Sequence, residues 1–120
     1  MLDPEAIVVK YPHSSYVYVC YLNDVPVYVG KGKKKRYLHC INGRTNNPGL
    51  KAAYMEHGSE ALSVNIIYYN IEDRVALGLE RDLILSLTEK GFSLFNLDKR
   101  KVDYIPDQGV EIFPLIFDWS

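Results

Sequence analysis

The run Tyr16–Leu22, YVYVCYL, is uncharged and built from aromatic, β-branched and thiol side chains. That composition suits a pleated strand, where branched and aromatic groups pack against their neighbours. A second short run, VYV at 27–29, follows NDVP, whose Asn, Asp and Pro suit a turn. Together they predict an antiparallel hairpin. Alternation puts Tyr16, Tyr18, Cys20 and Leu22 on one face, and Val17, Val19 and Tyr21 on the other. Both faces are largely apolar, so the hairpin has to lie in a sheet covered on both sides.

The rest of the chain offers the covering layers. Residues 36–42 and 49–57 read as short helices, the second ended by Gly58, with NGRTNNPG breaking the pattern between them. Residues 62–69, LSVNIIYY, read as a third strand. Residues 72–90 are the clearest helix, with Asn70 as its cap and Gly91 just past its end. The stretch before Pro12 reads as a lead-in, and VEIFPLIF in the tail as an added strand interrupted by Pro114. The expected fold class is α/β in the α+β sense, a small antiparallel sheet flanked by helices. Its 120 residues suggest one domain, with a core at about 14–100 and a C-terminal extension at 101–120.

Charge narrows the function. The net charge is −1, which excludes a generally basic nucleic-acid coat. Any attraction to phosphate must be local, and Lys31–Arg36 places five cations in six residues. Two cysteines, Cys20 and Cys40, do not make a disulfide framework and fit a reducing compartment. No apolar run reaches membrane-spanning length, and MLDPEAIVVK lacks a signal-peptide layout. The expectation is a soluble cytoplasmic protein with no membrane partner.

The long helix holds an anomaly. Ala76, Leu79, Leu83 and Leu87 recur at helical spacing and mark its buried stripe. At ~100° per residue, Glu80 falls within that arc. A carboxylate there either snorkels to solvent and pairs with a lysine, or is aimed into a cleft. Buried alone it would cost several kcal/mol.

The ordered motifs resemble those of the GIY-YIG nucleases. Tyr16-Val17-Tyr18, nine residues, then Tyr28-Val29-Gly30-Lys31 is similar to the family's paired core motif, and VYVGKGKKKR to the string of its stand-alone branch. LERDLI, containing Glu80, resembles the helix with the family's catalytic glutamate, and LFNL resembles the segment with a recurrent asparagine, at Asn96. Tyr16 and Lys34 stand where the family often has glycine, and His39 lies three residues past Arg36 rather than four.

The resemblance implies a three-stranded sheet flanked by helices and a metal-dependent endonuclease that hydrolyses phosphodiester bonds in DNA, with RNA still open. It implies that Glu80 holds one Mg2+ (or Mn2+), a hard cation content with one carboxylate, waters and substrate oxygens. Tyr18 and Tyr28 would sit in the site, with Tyr18 favoured as the base and Tyr28 as its orienter. Phenols with a pKa of about 10 need nearby cations for that task, and Lys31 and Arg36, plus the metal, are the candidates. Arg36 would clamp the scissile phosphate and His39 would assist proton transfer. Gly30 would admit close backbone approach and Asn96 would support the site. Lys31, Lys33, Lys34 and Lys35 would bind DNA phosphates. Two other classes compete: a non-catalytic nucleic-acid-binding domain on the same scaffold, and a protein-interaction module using the tail strand. Cutting both strands of a duplex with one site would need two subunits, as in a homodimer, or two binding events.

Overall fold

A computed structural model describes residues 3–96. The 101–120 extension and its proposed strand lie outside the described residues. The chain runs α1 (Pro4–Lys10), β1 (Ser15–Leu22), β2 (Val25–Gly32), a 3-10 helix (Arg36–Cys40), α2 (Pro48–His57), a short 3-10 turn (Ser59–Ala61), β3 (Leu62–Ile71) and α3 (Asp73–Glu89). This is a small α+β fold with a three-stranded antiparallel sheet of order β2-β1-β3.

The two faces of β1 divide the core as its alternation requires. Tyr16, Tyr18 and Cys20 pack with Ile7 of α1, Tyr37 and Cys40 of the 3-10 helix, and Leu50 and Ala53 of α2. Val17, Val19 and Val29 pack with Ala76, Leu79, Leu83 and Leu87 of α3. The predicted helical stripe is therefore the buried one. Because β1 is central and covered on both sides, every residue from Ser15 to Cys20 is buried.

Four expectations are corrected. The lead-in is helical from Pro4, with Asp3 Oδ2 accepting the Glu5 N–H at 3.1 Å. Seven residues burying Ile7 alone give too short a periodic signal to read. The hairpin turn is only Asn23-Asp24, at φ 51° and 67°, and Val25-Pro26 already belong to β2. Two left-handed residues match the right-handed twist of the strands. Residues 36–40 form a 3-10 rather than an α-helix. Asn70 is not the cap of α3: it sits in β3 at φ 60°, and Glu72 occupies the cap position.

Lys34 lies in the left-handed region, at φ 54°. A side chain there costs roughly 1–2 kcal/mol, while glycine adds about 0.4–1 kcal/mol of unfolded-chain entropy. Lys34→Gly is thus expected to leave stability unchanged or raise it by up to about 1 kcal/mol in urea unfolding. A clear loss would show that this backbone geometry is not adopted.

Candidate active site

Tyr18 of β1 and Tyr28 of β2 turn to the same side of the sheet, with ring centroids 6.3 Å apart. With Arg36, His39 and Cys40 of the 3-10 helix they line one cleft of about 210 Å³. Arg44, Thr45, Asn46 and Asn47 from the loop ahead of α2, and Leu50 of α2, complete the lining as a second wall.

Two glycines of β2 make this geometry possible. Tyr18 pairs across the ladder with Gly30, and a Cβ on Gly30 would stand 2.5 Å from the Tyr18 hydroxyl. A Cβ on Gly32 would stand 2.6 Å from Arg36 Cγ. The strand is bare where the phenol and the arginine cross it. Gly30→Ala is expected to cost about 1–3 kcal/mol, since Tyr18 is buried and has nowhere to withdraw. Thermal unfolding checks this, and a wild-type midpoint would mean that the ring does not lie over Gly30.

Tyr16 was not expected to matter, yet its hydroxyl holds the lysine loop. It donates to the Lys34 carbonyl at 2.8 Å and accepts the Tyr37 N–H at 2.9 Å. It thereby fixes both ends of the Lys34–Tyr37 turn that presents Arg36. Its phenol is pushed up to about 12, first by burial, against the Tyr37 N–H and the Arg36 charge. The folded state thus favours the protonated form. This contribution is fully present below pH ~10 and is lost as pH rises towards 12, on the order of 2–3 kcal/mol. Tyr16→Phe should be less stable at pH 8, with the gap to wild type narrowing by pH 11.5. A gap that stays constant in urea titrations would remove this role.

Burial also raises the phenols of Tyr18 and Tyr28, and outweighs the lowering effect of Arg36 at both. The expectation that neighbouring cations lower these groups is corrected: apolar packing removes more hydration than one guanidinium replaces. Lys31 does not help, because its ammonium is on the other face. There it meets Asp73 at 2.9 Å, at the start of α3, and holds that carboxyl below its ordinary range. The buried Ser15 hydroxyl donates to the same Asp73 oxygen at 3.3 Å. Lys33, Lys34 and Lys35 are exposed beside the cleft.

Glu80 is half-buried on α3 and does not line the cleft. Its charge still reaches the site: after burial, the Glu80 carboxylate is the largest influence raising the Tyr28 phenol. Asn96 stands at the outer edge of β2, where its Oδ1 accepts the Val29 N–H at 2.9 Å and its Nδ2 donates to the Val29 carbonyl at 2.7 Å. It acts as one rung of a missing strand and fixes the backbone next to Tyr28. Phe95 extends the pairing to the Val27 carbonyl.

Among the described residues no three His, Cys, Asp or Glu side chains come together. The Glu80 carboxylate, whose charge is felt at Tyr28, has the oxygen chemistry that a hard cation takes alongside waters and substrate oxygens, and the described residues build no all-protein cage. Also among the described residues, no helix is long and apolar enough to cross a membrane. Comparison with protein-family models, curated proteins and solved structures gives no match.

Proposed function

We propose that this chain is a metal-dependent endonuclease of the GIY-YIG type that hydrolyses phosphodiester bonds in DNA. The observation that best supports this is the convergence of Tyr18, Tyr28, Arg36 and His39 on one cleft, with the Glu80 charge felt at Tyr28. The Arg36 fork matches two oxygens of the scissile phosphate. Glu80 would hold Mg2+ or Mn2+, which would stabilise developing charge and acidify water. Tyr18 is protonated in the resting protein; once positive charge offsets the burial it releases that proton to solvent, and the phenolate then takes a proton from the attacking water. Tyr28 orients that water beside Glu80. His39 carries a proton towards the leaving oxygen. Lys33, Lys34 and Lys35 hold flanking phosphates, so Lys34→Gly should also lower the salt slope of DNA binding by about 0.7 to 0.9.

One observation favours a second reading, a domain that binds nucleic acid without cutting it. Burial outweighs Arg36 at both phenols, so neither Tyr18 nor Tyr28 is a ready base in the resting protein. Cleavage of labelled duplex DNA, single-stranded DNA and RNA, with Mg2+ and with Mg2+ plus chelator, separates the two. Metal-dependent cutting of DNA supports the first. Binding without cutting in any divalent metal supports the second. One cleft cuts one strand, so nicking by monomers, or paired cuts by a homodimer, would follow from the oligomeric state. A cytoplasmic location belongs to the same proposal, since Cys20 and Cys40 are free thiols.

A further inference from the structure

The cleft carries a second guanidinium. Arg44 lines it together with Arg36, from the loop between the 3-10 helix and α2. Both arginines are exposed. Arg44 is also firmly mounted. Its N–H donates to Asn42 Oδ1 at 3.0 Å, and Gly43 folds against the Tyr54 ring. Beyond it, the Asn47 N–H donates to Thr45 Oγ1 at 3.0 Å, and Asn47 Nδ2 to the Phe95 carbonyl at 2.8 Å. The last bond ties this wall to the segment that clamps β2. Thr45, Asn46 and Asn47 add neutral polar groups to the same wall. The cleft, at about 210 Å³, is many times the roughly 10–15 Å³ that one water needs.

We propose that Arg44 binds the phosphate next to the one held by Arg36, so that the cleft takes two consecutive phosphates of one strand. The inference rests on the reading of Arg36 as a phosphate clamp. Two guanidiniums on separate elements lining one cleft gather positive charge there, which bound anions offset. A single phosphate leaves one of them, and the polar wall beside it, unused.

Calorimetric binding of thymidine 5′-monophosphate and thymidine 3′,5′-bisphosphate to the full chain, at low salt without divalent metal, tests this. Wild type should bind the bisphosphate roughly tenfold more tightly than the monophosphate, the order expected for one added charge-assisted contact. Arg44→Ala should abolish that preference and leave the monophosphate unchanged, while Arg44→Lys retains part of it. Arg36→Ala should weaken both ligands. Wild type without the preference, or Arg44→Ala with it, would overturn the second phosphate site and leave the clamp intact. If Arg36→Ala binds both ligands as wild type does, or wild type binds neither, the phosphate reading of the cleft fails and the second site fails with it. The exposed position of Arg44 keeps the fold out of the comparison.

Discussion

Glu80→Gln is expected to lower metal-dependent cleavage by roughly 10³-fold, equivalent to about 4 kcal/mol of transition-state stabilisation. The substitution keeps the side chain's size and removes its charge, so the stripe around it (Leu79 and Leu83 against the sheet) keeps its packing. DNA affinity in chelator should hold or improve, because a negative charge beside the phosphate site is lost. A second readout does not depend on turnover. The Glu80 carboxylate raises the Tyr28 phenol, so Glu80→Gln should lower the Tyr28 titration while burial still keeps it above its ordinary value. NMR titration of ring-labelled tyrosine measures this. A folded variant that cleaves at the wild-type rate would remove Glu80 from the site. An unmoved Tyr28 titration would show that the two groups are further apart than the structure has them.

Tyr18→Phe is expected to slow the chemical step by roughly 10²-fold or more, the usual range for losing a general base. Phenylalanine keeps the ring that crosses Gly30, so the fold should be little disturbed. Tyr28→Phe should cost less if Tyr28 only orients water. The pH dependence is the sharper test. Burial holds the Tyr18 phenol above its ordinary value, so wild-type single-turnover rates should climb steadily from pH 7 to 9. Tyr18→Phe should flatten that climb. If Tyr28→Phe flattens it instead, the two roles are exchanged. If neither does, proton transfer runs through another group, with His39, on the same cleft, next in line.

What was legible in the sequence was whatever repeats along it. Alternation in YVYVCYL assigned both faces of β1 correctly, because side-chain direction in a strand follows from the backbone of that strand alone. Helical spacing found the Ala76–Leu87 stripe for the same reason. It also marked Glu80 as out of place before any neighbour was known. Parity held one unused lesson: Lys31 is two residues from Val29 and shares its face, towards α3. Adjacency to Lys33–Lys35 had suggested the opposite.

The tertiary structure decided what depends on residues far apart in the chain. The partner of Lys31 is Asp73, and that of the Val29 backbone is Asn96. The Tyr16 hydroxyl reaches Lys34 and Tyr37, and Arg44 shares a cleft with Arg36 through a loop tied to the segment around Phe95. The direction of the phenol shifts belongs here too. A sequence displays the cations beside Tyr28, but not the packing of α1, α2 and the 3-10 helix over that face of the sheet. Charge can be read from neighbours in sequence. Desolvation is a sum over every atom that excludes water, and those atoms come together only when the chain folds.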